Sequence, residues 1–308
     1  MKPLYPARFR AADIADKHWA ELPENITFYR HIRNVCLSFP SLILAFSARP
    51  GLSTAAAEIA KDLAACGINV FMPNDAVPIC ALSQALGSRN LPLGLYLDAD
   101  DTGDNFTLAA MTSHGGPFDM QDVIVTPFGK STTTGVVGET DLLSYYAANL
   151  AGFADQYIEK GIGFSALDIP FPALIKKLKD TPGLEILFQA DPHGPAATLS
   201  SDGQALKIFE REKGEIASEE IAMLIADYLS NERLASGTII GPSGRLTGFS
   251  RYSDRIEVEG TLVDLNHRVG FTDLLVGWWP DGSIAHQGNS CFGDGLLSAI
   301  YFLEAKRS

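Results

Sequence analysis

The chain has 308 residues, of which 46% are hydrophobic and 20% are charged, and its formal net charge is −13 at pH 7. The excess of 37 acidic over 24 basic residues repels phosphate groups, which argues against nucleic acids and anionic membranes as partners. The length predicts two or three compact units, each with its own core.

Cysteine spacing and the lack of long apolar segments indicate the compartment. The four cysteines form no CxxC pair, which is typical of buried thiols in a reducing environment. No stretch reaches the roughly 18 apolar residues of a membrane span, and the amino terminus has no apolar leader. The sequence predicts a cytoplasmic protein.

The first regular elements predict a β-α-β unit. Ser41 to Phe46 is an apolar strand, Thr54 to Cys66 is an Ala-rich helix, and Ile68 to Met72 is a second strand. A further helix is predicted from Ile79 to Leu86. Alternating elements of this kind favour an α/β sheet.

An acidic cluster follows the next predicted strand. Leu93 to Leu97 is apolar, and the seven residues from Asp98 to Asp104 contain four carboxylates. Ligands and metals gather at the carboxyl ends of buried strands in α/β sheets, so Asp98 and Asp100 are candidate site residues. The plainer interpretation is a solvated acidic turn.

The second half continues the alternation. Asp141 to Lys160 predicts a helix, and Leu184 to Phe188 predicts a strand that ends in polar residues. Strand-like and helical runs alternate from Thr198 to Ile240, and Gly295 to Glu304 predicts a closing apolar helix. The pattern predicts a second α/β unit.

Four motifs follow one another in the first half: Phe9 to Asp16, Ala48 to Ser53, Val77 to Leu82, and Asp98 to Gly103. In this order they resemble F-R-x-Y-D-I-R-G, D-x-R-x-S, V-P-T-P-x-L and the active-site loop T-A-S-H-N-P of the phosphohexomutases. That family comprises the bacterial phosphomannomutases and phosphoglucomutases.

Four motifs of the second half extend the resemblance over most of the chain. Ile186 to Gly194 is similar to a strand and the family's metal loop D-G-D-G-D-R, and Val269 to Phe271 is similar to V-G-H. Ala285 to Ser290 is similar to the sugar-reading A-G-E-x-S-G, and Gly293 to Leu297 keeps the D-G that opens a helix.

The resemblance implies mixed-sheet α/β domains. Domain I is expected over residues 1–125, a reduced domain II over 126–182, and domain III over 183–308. The motifs end at the third-domain helix, so domain IV is expected to be absent. An open cleft wall would expose apolar surface, which favours self-association to a homo-oligomer or a partner chain.

Residues that carry the family's chemistry are replaced. Asp100 falls at the phosphoserine position, and an aspartate cannot hold a stable alkyl phosphoester, although its charge mimics the phosphorylated loop. At the metal loop, Gln189, Asp191 and His193 stand at the positions of three carboxylates, of which only Asp191 is kept, and this weakens Mg²⁺ binding. No cofactor is expected, and Mg²⁺ only as a weak ligand.

The resemblance therefore implies a catalytically inactive phosphomannomutase/phosphoglucomutase-like protein that binds a sugar phosphate or a protein partner. The implied ligand-binding residues are Arg49, Ser53, Gln287 and Asn289. Arg49 is the best remaining ligand for an anion.

Other interpretations remain open. Asp98-x-Asp100-x-Thr102 also resembles the nucleophile motif of haloacid-dehalogenase-type phosphatases, in which Asp98 would form the aspartyl phosphate and Asp100 would be the acid/base. Four further alternatives are a divergent mutase with isomerase activity, a slipped alignment with Ser113 as the phosphoryl carrier, a zinc or manganese site at Asp191 and His193, and a purely structural subunit.

Overall fold

The computed structural model describes residues 7–10, 36, 39–89, 91, 93–100, 105–112, 133–154, 163–188, 190–252, 254–258, 273–287, 289 and 292–307. The chain divides into two compact units, Met1–Leu142 and Leu143–Ser308. The domain boundaries at residues 125 and 182 that the resemblance implies remain a prediction.

The first unit is built on a six-stranded mixed sheet with the order β1-β5-β4-β2-β3-β6. Strand β2 is parallel to β3 and β4, and β3 is parallel to β6, while β5 runs antiparallel to β1 and β4. The elements are β1 (Ala7–Arg10), β2 (Ser41–Phe46), α1 (Leu52–Ala65), β3 (Asn69–Met72), α2 (Ile79–Arg89), β4 (Leu93–Ala99), β5 (Asn105–Thr112) and β6 (Val137–Glu139).

Helices α1 and α2 cover opposite faces of this sheet. Leu44 of β2 and Leu95 of β4 belong to one buried cluster with Ile59 and Leu63 of α1. On the other face, a Cβ at Gly94 would lie 2.6 Å from Leu86 Cδ1 of α2. Because both faces are covered, the central strands are continuously apolar rather than alternating.

The second unit contains two four-stranded sheets, with the orders β10-β9-β8-β7 and β12-β11-β13-β14. Its strands are β7 (Ala166–Asp168), β8 (Ala196–Leu199), β9 (Leu206–Glu210), β10 (Gly214–Glu215), β11 (Thr238–Pro242), β12 (Arg255–Val258), β13 (Leu274–Trp278) and β14 (Ile284–His286). Its helices are α3 (Leu143–Phe153), α4 (Pro172–Lys179), α5 (Ser218–Asn231) and α6 (Gly295–Arg307).

Helix α6 lies in the core of this unit. Every residue from Gly295 to Ala305 is buried, so the helix is covered on all sides rather than on one face, and its buried residues include Ser298 and Glu304. Its aromatic side chains pack against the rest of the unit: Phe302 stacks on Phe164, and Tyr301 contacts Tyr228 of α5 with 6.1 Å between ring centroids.

One predicted strand is wrong. Leu184 to Phe188 was expected to be a strand, but Glu185–Phe188 is a 3-10 helix. Leu184 and Leu187 are both buried, and Leu187 donates its N–H to the Leu184 carbonyl at 3.2 Å. Their i, i+3 spacing suits a 3-10 turn, in which both side chains fall on one side.

The other predicted elements of the described chain are confirmed with shifted ends. Helix α3 begins at Leu143 and its described part ends at Phe153. Among the helices that the structure describes, none combines the length and apolar composition that a membrane span requires.

Candidate functional site at the carboxyl edge of the first sheet

The carboxyl ends of β2 and β4 meet at one edge of the first sheet. Phe46 pairs with Leu97 in the parallel register, so Ser47 and Asp98 follow at matching positions. The Ser47 N–H donates to the Leu97 carbonyl at 2.9 Å, and the Ser47 hydroxyl donates to Asp98 Oδ1. These two bonds join the strand ends directly.

This edge is the topological switch point of the sheet. From β2 the chain passes through α1 to β3 on one side, whereas from β4 it turns back into β5 on the other side. The connections leave β2 and β4 in opposite directions, and such a point opens a crevice where α/β proteins bind ligands. The strand order thus singles out the edge at which the sequence places the candidate residues Asp98 and Asp100.

One side of the edge is electropositive. Gly51, with φ 82°, forms the left-handed cap before α1, and no side chain caps this helix end by a hydrogen bond. The first turn, Leu52 to Ala55, contains no acidic residue, so its amide groups carry the positive end of the helix dipole. Arg49 is half-buried just before the helix, and Ser53 is exposed in the first turn.

The other side of the edge is acidic. Asp98 is half-buried at the end of β4, paired in register with Thr107 of β5. Asp100 follows the strand and is also half-buried. Residues 101–104 of the acidic cluster, and Ser113 of the slipped alignment, lie outside the described residues.

The loop before α2 forms a third part of this edge. Val77 donates its N–H to the Phe46 carbonyl at 3.0 Å, and Tyr96 donates its hydroxyl to the Val77 carbonyl at 2.9 Å. Tyr96 is 2% exposed, so its hydroxyl lies inside the sheet's covered face. The loop is thereby fixed to both β2 and β4.

The predicted metal loop in the second unit is a turn that is closed by hydrogen bonds between its own residues. Asp191 Oδ1 accepts the His193 N–H at 2.9 Å, and the Asp191 carbonyl accepts the Gly194 N–H at 3.0 Å. A Cβ at Gly194 would lie 2.1 Å from the Gly163 carbonyl oxygen, which explains the glycine. Gln189 lies outside the described residues.

These side chains do not fit a magnesium site. Within the described ranges, no three His, Cys, Asp or Glu side chains come together in a way that could hold a metal ion. One Asp191 oxygen already accepts a backbone N–H, and an exposed imidazole is a poor ligand for Mg²⁺. The loop also follows a 3-10 helix rather than the expected strand.

Gln287 and Asn289 form hydrogen bonds inside the second unit. Gln287 Nε2 donates to the Ser236 carbonyl at 3.1 Å, and Asn289 Nδ2 donates to Asp294 Oδ2 at 2.8 Å. These contacts hold the loop between β14 and α6.

Asp294 is the centre of a buried polar network that the sequence analysis missed. Its side chain is 0% exposed, and Oδ1 accepts the Leu297 N–H at 3.0 Å and the Tyr146 hydroxyl at 2.7 Å. Asp294 thus caps α6 and ties it to α3. Only the D-G that opens the helix was visible in the sequence, because Tyr146, which donates a hydrogen bond to Asp294, lies 148 positions away.

His286 lies beside this network in a single tautomer. Ser298 donates its hydroxyl to the Asp294 carbonyl at 2.7 Å, so at the 2.8 Å contact His286 Nε2 is the donor and Ser298 Oγ the acceptor. Burial lowers the pKa of His286 to about 3, against a smaller raising effect from the Asp294 backbone. The ring is therefore neutral at pH 7.

Solved structures with the same fold are phosphohexomutases. A protein assigned as a phosphomannomutase from Thermus thermophilus matches with a TM-score of 0.78 at 14% identity, over 99% of this chain and 79% of its own. A phosphoglucomutase/phosphomannomutase family protein from Burkholderia thailandensis matches with a TM-score of 0.69 at 12% identity, over 98% and 76%.

The phosphoglucomutase pp63/parafusin from Paramecium, in an open form, matches with a TM-score of 0.70 at 11% identity, over 100% of this chain and 71% of its own. No protein-family model and no curated protein sequence matches. The chain therefore has the phosphohexomutase fold, as its motifs implied.

Proposed function

We propose that the protein binds a hexose phosphate at the carboxyl edge of β2 and β4 and does not transfer its phosphoryl group. The observation that carries the proposal is the two-sided polarity of this edge, with Arg49 and the α1 amino terminus on one side and Asp98 and Asp100 on the other. A helix amino terminus and a guanidinium favour a phosphate group.

The carboxylates on the acidic side of the edge favour binding of the sugar hydroxyl groups rather than of the phosphate group. Carboxylates only accept hydrogen bonds, so they pair with hydroxyl groups and repel phosphate oxygens. A hexose phosphate satisfies both sides at once, since its phosphate and hydroxyl ends differ in charge. The net charge of −13 opposes a general anion site, so the phosphate depends on the local field of Arg49 and α1.

The absence of phosphoryl transfer follows from Asp100. The resemblance places this residue where the phosphohexomutases carry their phosphoserine, and a carboxylate yields an acyl phosphate instead of a stable ester. An acyl phosphate hydrolyses more readily than an alkyl ester, so it is a poor store for the phosphoryl group between two turnovers. Protein-partner binding is the alternative if no sugar phosphate binds.

Isothermal titration calorimetry of the full chain tests the proposal with glucose 1-phosphate, mannose 1-phosphate, inorganic phosphate and free glucose. We expect a hexose phosphate to bind more tightly than phosphate or glucose alone. Arg49→Ala should weaken hexose phosphate binding by about 10- to 100-fold, as expected for one charge-assisted hydrogen bond. Asp100→Ala should weaken binding of the hexose phosphate, whereas inorganic phosphate should bind at least as tightly as to wild type, because a repelling carboxylate is removed.

Matched controls come from exposed residues of the second unit. Arg211→Ala and Asp180→Ala remove the same charges from exposed positions and should leave the affinity unchanged. No binding of either hexose phosphate by the folded wild-type chain would overturn the proposal and direct the search to protein partners. Equal losses in control and site variants would show a nonspecific charge effect.

A further inference from the structure

One contact at the candidate site has no role assigned so far: the hydrogen bond between Ser47 and Asp98. Ser47 is 0% exposed, although it is polar and stands at a strand end. The sequence analysis did not select it, because no motif includes it and the two residues are 51 positions apart. Parallel pairing of β2 with β4 brings them together.

The Ser47 hydroxyl has one role as a hydrogen-bond donor. A hydroxyl has a single hydrogen, and that hydrogen goes to Asp98 Oδ1. The backbone of Ser47 is held separately by its N–H bond to the Leu97 carbonyl at 2.9 Å. The side chain therefore fixes the rotation of the Asp98 carboxylate, while the backbone bond keeps the strand ends together.

We infer that Ser47 is the positioning residue of the edge, holding the Asp98 carboxylate in the orientation in which it accepts a hydroxyl of the sugar. This inference rests on the proposed function. A loosely held carboxylate loses rotational freedom when a ligand binds, and a carboxylate already held by a buried hydroxyl loses less. Ser47 thus raises affinity for the hydroxyl end of the ligand without touching the ligand.

Because Asp98 only accepts hydrogen bonds, Ser47 should act on the sugar and not on the phosphate. Ser47→Ala removes one oxygen from a buried site and leaves the backbone bond to Leu97 in place. We expect it to weaken glucose 1-phosphate binding by about 5- to 20-fold, as for one hydrogen-bond partner lost, while binding of inorganic phosphate is unchanged.

Ser47→Thr keeps the hydroxyl and serves as the conservative variant, expected to bind within about threefold of wild type. A double-mutant cycle that combines Ser47→Ala with Asp98→Ala is the decisive measurement, because both substitutions only remove atoms. In the Asp98→Ala background, Ser47→Ala should cause no further loss of glucose 1-phosphate affinity. Melting temperatures identify variants that are less folded.

The outcomes separate the two proposals. If wild type binds neither glucose 1-phosphate nor mannose 1-phosphate, the proposed function fails and this inference fails with it. If wild type binds and Ser47→Ala binds equally well, only the role of Ser47 is overturned. Equal weakening of glucose 1-phosphate and inorganic phosphate, or an additive loss in the Asp98→Ala background, would show a general distortion of the edge and would also overturn it.

Discussion

At the residue scale, His286 makes the stability of the second unit depend on pH. Its pKa in the folded chain is about 3 because of burial, against about 6.5 in an unfolded chain. Below pH 6.5 the imidazole becomes protonated in the unfolded chain but stays neutral in the folded chain. The free energy of unfolding therefore decreases as the pH is lowered, until about pH 3. Above pH 6.5 this contribution is fully present.

The expected loss is about 1.4 kcal/mol per pH unit in that window, or about 2 kcal/mol between pH 7.5 and pH 5. Urea unfolding at both pH values measures it, with His286→Gln as the variant that removes the titration. Carboxylates also titrate, so the informative quantity is the difference in slope between wild type and variant. An unchanged slope in His286→Gln would contradict the assignment.

At the scale of elements, the amino terminus of α6 depends on Tyr146. Asp294 is fully buried, and among the described residues the Tyr146 hydroxyl donates to its carboxylate beside Asn289 Nδ2 and the Leu297 N–H. Tyr146→Phe keeps the ring and removes that donor. We expect it to lower the free energy of unfolding by about 1.5 to 3 kcal/mol, as for a hydrogen bond to a charged group.

Chemical denaturation of Tyr146→Phe and Tyr145→Phe measures this contribution. Tyr145 is the neighbouring residue of α3 and is half-buried, so its variant removes the same atom from the same helix. Tyr145→Phe should change stability by less than about 0.5 kcal/mol. Equal effects of the two variants would mean that the Asp294 carboxylate does not need the Tyr146 hydroxyl.

The elements that the sequence predicted are those whose pattern records local burial. Strands β2 and β4 are covered on both faces and so read as unbroken apolar runs, and α6 reads as apolar throughout. The segment from Leu184 to Phe188 is apolar except for Glu185, but its buried residues are spaced i, i+3, and five residues are too few to distinguish this spacing from that of a strand. A longer segment would have distinguished the 3-10 helix from a strand.

The residues of the candidate site also divide into those that the sequence pattern shows and those that it does not. Asp98, Asp100 and Arg49 could be predicted, because charged residues that follow apolar runs are visible in the sequence. Ser47 could not, because a serine at a strand end carries no signal until the pairing of β2 with β4 is known. The placement of the site at a switch point likewise comes from strand order, which single elements do not encode.

At the scale of the whole molecule, the phosphohexomutase fold is present, and we propose that three features of the family's chemistry are altered. The resemblance implies Asp100 at the phosphoserine position and Gln287 in place of a sugar-binding glutamate, and the loop at Asp191 is closed by hydrogen bonds between its own residues. Catalytic groups that act together are strongly non-additive, so restoring one of them leaves the others limiting.

We therefore expect no interconversion of glucose 1-phosphate and glucose 6-phosphate by wild type or by Asp100→Ser. A coupled dehydrogenase assay with Mg²⁺ and a glucose 1,6-bisphosphate primer measures it, with an active phosphoglucomutase as the positive control. Turnover by wild type would contradict the assignment as a binding protein and favour a divergent mutase. Release of inorganic phosphate that disappears in Asp98→Asn would instead favour the aspartate-nucleophile phosphatase, since only that mechanism needs the Asp98 carboxylate to attack phosphorus.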